Sequence, residues 1–505
     1  MNITSINPKT AAIEEDVAEE STPEEVDELC RSAAAAAPFL HELRRAGRAS
    51  LLRSIAEELE ASRDRIVAIA DRETALGTTR LQGELTRTCY QLRLFAEVLE
   101  EGSYLEVTID HRGETDMGPR PDLRRMLVPL GPVAVFGASN FPLAFSVPGG
   151  DTAAALAAGC PVVVKAHPAH PATSRLTYDC LARAVSGHGG PTGTVGLVFG
   201  QRAGQLLVQD PHITAVGFTG SEAGGRALFD LASARPDPIP FYGELGSINS
   251  LVVTPGAARK RAEDIAAGYV ASITLGGGQF CTKPGLAFVP ADDAAHMRKA
   301  LIDAVRETEK VWLLSEGIRS AYLDGVESLA GQFGVELVAG GAPTTDEGFS
   351  AQPALFWTTT EELRAADSKV AEECFGPAGV VVQYADADDL AAALNTMPGA
   401  LAASIHAEDD ENELSSRLIK LLLARTGRLV WNGFPTGVAV SWAMTHGGPY
   451  PSSTSVLHTS VGATSIRRFL RPVTLQSVPA QLLPAELRDD ASSDVPQRIN
   501  GVPRH

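Results

Sequence analysis

The sequence predicts an α/β fold made of two doubly wound parallel sheets in tandem, with a small β arm beside them. Short β-branched runs alternate with Ala- and Leu-rich stretches of helical length, first over residues 133–218 and again over residues 286–431. This alternation is typical of parallel β-α-β units. The length of 505 residues also exceeds what one hydrophobic core sustains, so two or three domains are expected.

The elements can be justified in chain order. Residues 23–101 have helical apolar spacing, and Thr22-Pro23-Glu24-Glu25 has the pattern of a helix N-cap; little functional content is predicted here. Residues 106–125 are polar with Gly and Pro, which favours a projecting hairpin. The predicted strands are 133–136, 162–164, 195–199 and 215–218 in the first sheet, then 286–289, 335–338, 380–384, 402–405 and 429–431 in the second, with a late strand at 470–478. Helices are predicted between them, at 151–158, 174–185, 294–311 and 390–394.

Composition excludes several classes of partner. Lys and Arg number 43 against 62 Asp and Glu, which gives a net charge of −19. Such a surface repels nucleic acid and anionic lipid, so neither is an expected partner. The six cysteines are widely spaced without a C-x-x-C pattern, which predicts neither a disulfide framework nor a zinc site and indicates a reducing, cytoplasmic location.

Cys281 is the strongest candidate for chemistry. It follows Gly276-Gly277-Gly278-Gln279-Phe280, and no charged residue occurs over residues 265–282. Glycines permit backbone conformations and close approaches that a Cβ resists, so this thiol suits a nucleophile in a dry cleft. The alternative from the residues alone is a buried structural cysteine on a glycine-rich turn.

Four further motifs are ambiguous one by one. Gly217-Phe218-Thr219-Gly220-Ser221, followed by Gly225, is either a pyrophosphate-binding turn or a plain turn. Lys165 ends an apolar strand, where it either meets a ligand or lies in solvent. Glu244 among apolar neighbours has the environment of a general base with a raised pKa, or of a capping carboxylate. The amide of Asn140 either stabilises an oxyanion or belongs to a turn.

Taken together and in order, these motifs resemble the aldehyde dehydrogenase superfamily over residues 23–480. The resemblance rests on Asn140-Phe141-Pro142, Lys165, Phe218-Thr219-Gly220-Ser221, Glu244-Leu245-Gly246, Gly278-Gln279-Phe280-Cys281 and Glu373-Cys374-Phe375-Gly376-Pro377. It implies two Rossmann-like domains: a cofactor-binding domain at 1–104 and 122–245 and a catalytic domain at 246–445. It also implies an oligomerisation arm at 105–121 and 465–485, a loose tail at 486–505, and a homodimer or homotetramer.

The resemblance also implies residue roles, with no metal. Cys281 is the nucleophile, Asn140 the oxyanion-stabilising amide and Glu244 the general base, while His446 tunes Cys281 or relays a proton. The implied cofactor-binding residues are Lys165, Arg202, Phe218, Thr219, Gly220, Ser221, Gly225, Leu245, Glu373 and Phe375.

The branch of the superfamily is suggested by Lys165-Ala166-His167-Pro168 and His446-Gly447-Gly448-Pro449. These resemble α-ketoglutarate semialdehyde (2,5-dioxovalerate) dehydrogenases, and beside them NADP-dependent fatty aldehyde dehydrogenases. Pro168 stands where enzymes preferring NAD often have Glu, and Arg202 stands where a 2′-phosphate partner is expected, so NADP is predicted in preference to NAD.

The substrate remains open from the sequence. The cationic or polar candidates for binding a substrate carboxylate are Arg120, Arg124, Ser441 and His446, whereas Phe145, Phe434 and Trp442 would suit a long-chain aldehyde. Two other functions stay open: a cysteine hydrolase using Cys281 with His446 and no dinucleotide, and a non-enzymatic scaffold.

Overall fold

The computed structural model describes residues 2–342, 344, 347–489 and 495–504. The chain starts with a hairpin that the sequence analysis did not predict, followed by four helices whose buried faces share an apolar core with the first sheet. The capping box at Thr22 is formed, since its hydroxyl accepts from the Glu25 N–H and the Glu25 carboxylate accepts from the Thr22 N–H. These elements are β1 Asn2–Ile6, β2 Ile13–Glu19, α1 Pro23–Glu42, α2 Arg44–Ala61, α3 Arg63–Thr74, α4 Thr78–Glu101, β3 Val107–Asp110, β4 Gly113–Thr115, β5 Gly118–Arg120 and β6 Leu123–Pro129.

The first sheet is five-stranded and entirely parallel, in the order β11-β10-β7-β8-β9. Its first strand lies in the middle, so the winding reverses between β7 and β10. Ligands bind in the crevice at such a switch point, beyond the carboxyl ends of the strands. The elements are β7 Val133–Phe136, α5 Gly150–Ala158, β8 Val162–Lys165, α6 Pro171–Gly187, β9 Val195–Val198, α7 Gln201–Gln209, β10 Ala215–Thr219, α8 Glu222–Ser233 and β11 Phe241–Glu244.

The second sheet has seven strands in the order β15-β17-β18-β13-β12-β19-β20. It is parallel except for the edge strand β15, which runs antiparallel to β17. The helix predicted at 294–311 ends at Arg306, because residues 311–312 pair with Ser350–Ala351 instead. The elements are β12 Ser250–Val253, α9 Pro255–Thr274, β13 Leu286–Pro290, α10 Ala294–Arg306, β14 Val311–Trp312, α11 Glu316–Ala330, β15 Glu336–Gly340, β16 Ser350–Ala351, β17 Ala354–Thr359, α12 Thr360–Leu363, β18 Ala378–Tyr384, α13 Ala387–Thr396, β19 Ala400–His406, α14 Asn412–Leu423 and β20 Thr426–Trp431. The predicted α/β fold class is confirmed.

A third sheet forms the arm, in the order β21-β6-β3-β22-β23. Its remaining strands are β21 Leu470–Gln476, β22 Gln497–Ile499 and β23 Val502–Arg504. β6 belongs to this sheet and not to the cofactor-binding domain as predicted, because it pairs with both β3 and β21.

The expectation of a loose tail at 486–505 is wrong for β22 and β23. β22 pairs with β3, and Val495 and Leu487 are buried; residues 490–494 and 505 lie outside the described residues. Among the helices of the described ranges, none has the length and apolar composition needed to cross a bilayer.

Candidate active site

The nucleophile candidate is held by an unusual run of backbone. Gly276, Gly277 and Gly278 have φ angles of 57°, 71° and 67°, a region that favours glycine. A Cβ at Gly278 would lie 2.2 Å from the Gly376 carbonyl oxygen, so the absence of a side chain lets the two loops meet. On the other side of the thiol, the Asn249 amide donates to the carbonyls of Cys281 at 2.8 Å and Lys283 at 2.9 Å.

Cys281, Glu244 and His446 come together where the two sheets meet. The sulfur of Cys281, a carboxylate oxygen of Glu244 and a ring nitrogen of His446 all lie within 4.8 Å of one another. His446 Nε2 is 3.5 Å from Cys281 Sγ and 2.8 Å from Glu244 Oε1. Glu244 and His446 have only 3% and 2% of their surface exposed, so water screens the Glu244 carboxylate little from its neighbours.

The two oxygens of the Glu244 carboxylate differ. Oε2 accepts a hydrogen bond from the Ser460 hydroxyl, whereas Oε1 accepts no well-oriented hydrogen bond from any described residue despite the nearby His446. Burial raises the pKa of Glu244, but His446 and Ser460 outweigh it, and the net pKa lies below the ordinary value. The predicted raised pKa is therefore wrong, because the partners compensate for desolvation.

The Cys281 thiol keeps its proton in this arrangement. Burial raises its pKa well above the ordinary value, and the adjacent Glu244 carboxylate raises it further. A thiolate is the nucleophilic form, so the proton must leave the sulfur before attack.

Asn140 follows β7 and lines the same cavity as Cys281. Its Nδ2 donates to the Gln279 carbonyl at 2.8 Å, which leaves the second amide hydrogen for a ligand. The backbone carbonyl of Asn140 accepts from Arg80 Nη2 at 2.6 Å. The amide is thus fixed in orientation beside the thiol, as oxyanion stabilisation requires.

A cavity of about 430 Å³ joins this cluster to the turn after β10. Close packing leaves no room for a side chain at two glycines beside the cavity: a Cβ at Gly225 would lie 2.1 Å from Leu245 Cδ2, and one at Gly246 would lie 2.4 Å from Glu373 Oε2. Ser221 caps the 12-residue helix α8, whose N-terminus favours an anion. The predicted residues that line the cavity are Asn140, Thr219, Gly220, Ser221, Glu244, Leu245, Cys281, Glu373 and Phe375. Phe218 and Gly225 pack behind the turn.

Lys165 and Arg202 lie outside that cavity, near the start of α7. Lys165 Cγ is 3.5 Å from the position of a Cβ at Gly204, and burial lowers the pKa of Lys165 to about 8. The Arg202 side chain is exposed, and its backbone N–H donates to the Glu20 carboxylate at 3.2 Å. Lys165 and Arg202 fit a sugar hydroxyl or phosphate, whereas the Glu20 carboxylate opposes a phosphate there.

The loop with Glu373 and Phe375 is fixed by a buried lysine. Lys283 Nζ donates to the carbonyls of Cys374, Gly376 and Ala378, at 2.6, 2.7 and 3.0 Å. Burial raises the pKa of Glu373 to about 7, although the nearby Lys283 charge lowers it. Lys283 therefore acts on this loop, and its Nζ does not contact the thiol.

Two residues predicted as candidates for binding a substrate carboxylate, Arg120 and Arg124, lie in the arm and make contacts there. Arg120 bonds to the His111 carbonyl, and Arg124 pairs with Asp122 and Asp489, all in the arm. Sequence reasoning also missed Ser460 and Asn249, and it considered Lys283 only as a cation two residues after the thiol. Lys283 alone left a signal, as the first charge after an uncharged run.

The sequence is similar to known aldehyde dehydrogenases. A profile described as the aldehyde dehydrogenase family matches residues 1–474. The chain is 43% identical over 488 residues to an alpha-ketoglutaric semialdehyde dehydrogenase of Acinetobacter baylyi, covering 96% of this chain and 92% of that protein. It is 45% identical over 462 residues to alpha-ketoglutaric semialdehyde dehydrogenase 2 of Azospirillum brasilense, covering 90% and 87%.

The fold has a counterpart among solved structures. The structure of succinic semialdehyde dehydrogenase from Streptococcus pyogenes matches with a TM-score of 0.80, over 94% of this chain and 100% of that chain, at 19% identity. The chain belongs to the aldehyde dehydrogenase family, whose members oxidise an aldehyde with a nicotinamide dinucleotide as electron acceptor.

Proposed function

We propose that the protein oxidises 2,5-dioxopentanoate (α-ketoglutarate semialdehyde) to 2-oxoglutarate, with NADP preferred over NAD. The observation that carries the chemistry is the contact of Cys281 with His446 and Glu244 in a cavity that also contains Asn140 and Glu373. The substrate follows from the two relatives above 40% identity, both of which are named for this semialdehyde.

The first step removes the thiol proton. His446 Nε2 at 3.5 Å from the sulfur is placed to accept it, and the ionised Glu244 carboxylate stabilises the imidazolium that results. The thiolate then attacks the aldehyde carbon and forms a carbon–sulfur bond, while the carbonyl oxygen becomes an oxyanion. The Asn140 amide and the Cys281 backbone N–H donate to that oxygen; one such donor is commonly worth about 10²–10³ in rate.

Oxidation and release complete the cycle. A dinucleotide held in the cavity beside Glu373 and Phe375 would supply the hydride acceptor. Loss of hydride from the tetrahedral carbon leaves a thioester on Cys281. Glu244 Oε1 accepts no hydrogen bond from the described residues, although His446 Nε2 lies 2.8 Å away, and it takes a proton from water. The hydroxide attacks the thioester carbon, the carbon–sulfur bond breaks, and the carboxylic acid leaves. The departing thiolate takes back the proton held by His446, and Glu244 gives its proton to solvent.

The preference for NADP rests on two sequence positions and one contact. Pro168 removes a carboxylate that would repel a 2′-phosphate, and Arg202 supplies a cation at the start of α7. Glu20 acts in the opposite direction, since its carboxylate lies against the Arg202 backbone. We expect the arginine to dominate, because a guanidinium pairs with phosphate through charged hydrogen bonds.

The protein is also proposed to act as a cytoplasmic homodimer or homotetramer assembled through the arm. β4 and β5 form a two-stranded hairpin at whose turn Met117 is 98% exposed, and unpaired strand edges favour pairing with another chain. Light scattering coupled to gel filtration measures the mass, and a monomer would contradict this assembly.

The function is tested by following formation of reduced nicotinamide by absorbance. With NADP, kcat/KM for 2,5-dioxopentanoate should far exceed that for hexanal, and Cys281→Ser should abolish both. Cys180→Ser is the matched control, because Cys180 is buried on α6 and its Sγ hydrogen-bonds with the Ser62 hydroxyl and the Arg183 side chain. A preference for hexanal would favour the fatty aldehyde branch, and ester turnover unaffected by the dinucleotide as the sole activity would favour a hydrolase.

A further inference from the structure

Three arginines lie beside the loops of the active site: Arg80 and Arg87 on α4, and Arg428 on β20. Arg80, Glu84 and Arg87 are spaced four and three residues apart on α4, so they lie on one face. Glu84 Oε1 accepts from the N–H groups of Leu143 and Ala144 at 2.8 and 2.9 Å. This face therefore meets the segment that carries Asn140, in a region that the sequence analysis treated as having little function.

Among the described residues, Arg87 has more donor atoms without a hydrogen-bond partner than Arg80 or Arg428. Its Nη1 donates to the Val438 carbonyl, but Nε and Nη2 are buried without a hydrogen-bond partner among the described residues. No ion pair in the described part of the chain involves its guanidinium. Nε–H and one Nη2–H point the same way along one edge of the planar group, the edge that binds both oxygens of a carboxylate.

The position of Arg87 relates this edge to the reacting atoms. The guanidinium lies 5.5 Å from the centre of the Phe145 ring. That ring is 6.2 Å from the His446 ring, which contacts Cys281 Sγ. Arg87 therefore stands one aromatic ring away from the catalytic cluster, and its charge interacts with the carboxylates of Glu84 and Glu244.

Arg428 on β20 adds a second positive charge beside the same loop. It donates to the carbonyls of Pro435 and Gly437, and its Nε also has no partner within the described ranges. The loop itself reaches the nucleophile, since the Gly437 N–H donates to Thr282 Oγ1 at 3.2 Å. Buried charges are normally paired, so two unpaired guanidinium groups here fit an anionic group of the ligand.

We propose that Arg87 binds the carboxylate of the substrate through its Nε–H and Nη2–H edge, with Arg428 as a second cation across the loop of residues 435–438. This assignment rests on the proposed function and names the residue that selects an acidic semialdehyde. It replaces Arg120 and Arg124 as the carboxylate partner.

The test compares 2,5-dioxopentanoate with pentanal, which has the same number of carbons and no carboxylate. The measured quantity is the ratio of their kcat/KM values in wild type, Arg87→Met and Arg87→Lys. Loss of charged hydrogen bonds should lower this ratio about 10- to 100-fold in Arg87→Met, mainly through KM for the acidic substrate. Arg87→Lys should also lower it, because lysine keeps the charge but lacks the two-pronged edge.

Arg298→Met is the matched control. Arg298 also stacks on an aromatic ring, 5.5 Å from the centre of Trp357, but it pairs with Glu336 on the outside of the second domain. In Arg298→Met, the ratio of kcat/KM for 2,5-dioxopentanoate to that for pentanal should equal the wild-type ratio.

The outcomes separate the two proposals. A wild type that does not prefer 2,5-dioxopentanoate overturns the proposed function and this assignment with it. A wild-type preference that survives in Arg87→Met, or an equal loss for both aldehydes, overturns only the assignment. Should Arg87→Met fail to fold, the ratio in Arg87→Lys decides by the same criterion.

Discussion

Within single side chains, the Glu244 carboxylate divides its oxygens between two tasks. The Ser460 hydroxyl holds Oε2 and lowers the pKa, while Oε1 stays available for water. The carboxylate is the active form of a base, so activity is lost on the acid side of this pKa. Together with the larger effect of His446, Ser460 thus lowers the pH limit of the reaction without contacting the substrate carbon.

Ser460→Ala should therefore move the acid limb of the kcat–pH profile upward. Removing one hydrogen bond to a charged group costs about 1.5–3 kcal/mol, which corresponds to a rise of about one to two pH units. Ser465→Ala is the control, since the Ser465 hydroxyl donates to the Gly462 carbonyl and not to Glu244. An acid limb at the same pH in Ser460→Ala and wild type would contradict this role.

Arg202 at the start of α7 and Glu20, whose carboxylate accepts from the Arg202 N–H, should have opposite effects on the preference for NADP over NAD. Arg202→Ala should lower the ratio of kcat/KM with NADP to that with NAD by about tenfold, because a charged phosphate contact is lost. Glu20→Gln should raise the ratio, because a repelling carboxylate is removed. Arg183→Ala, which breaks an ion pair between α6 and Glu58 on α2, should leave the NADP-to-NAD ratio unchanged. An unchanged ratio in Arg202→Ala would contradict the NADP proposal.

Among the secondary-structure elements, the glycine run before Cys281 works through backbone shape. Its positive φ angles bring Gly278 against Gly376, so one loop carries the thiol and the touching loop carries Glu373 and Phe375. Any side chain at Gly278 must separate these loops. The contact between Gly278 and Gly376 thus positions the Cys281 thiol relative to the loop with Glu373 and Phe375.

Gly278→Ala should lower both stability and activity. The new Cβ would lie 2.2 Å from a carbonyl oxygen at a φ of 67°, a strain of about 1–3 kcal/mol. Gly83→Ala, in α4 with nothing within 4 Å of its Cβ position, should instead gain about 0.5–1 kcal/mol. Urea unfolding measures the stability of each variant, and the turnover rate measures its activity. Equal stability and activity in Gly278→Ala and Gly83→Ala would contradict the role given to the contact at Gly278.

The sequence predicts local structure well where the causes are local. The capping box at Thr22 and the strand at 133–136 appear as expected, because capping chemistry and β-branched runs act over a few residues. The contacts of the site are not local: Ser460 lies 216 residues from Glu244, and His446 lies 165 residues from Cys281. Resemblance to a family identified His446, but no pattern marked Ser460 or the free edge of Arg87.

Across the whole molecule, the last residues close the arm sheet. β22 pairs with β3, and Val495 is 3% exposed, with its Cγ1 2.3 Å from where a Cβ at Gly102 would lie. The end of the described chain is therefore packed against the junction of α4 and the arm. This packing explains why a polar, proline-containing terminal sequence is nevertheless ordered at these residues.

Val495→Asp should lower the thermal unfolding temperature by several degrees, because an unpaired charge would be buried. Val502→Asp is the matched control, since Val502 on β23 is 60% exposed, and its unfolding temperature should match that of the wild type. Scanning calorimetry measures both, and an unfolding temperature in Val495→Asp equal to that of the control would show that the tail contributes little.

The protonated state of Cys281 has a consequence for the durability of the enzyme. Peroxide and alkylating reagents attack the thiolate and react poorly with a neutral thiol. Because burial and Glu244 keep the resting sulfur protonated, the protein is chemically protected during idle periods, and its reactivity is restricted to the moments when a proton acceptor and an aldehyde are both in place.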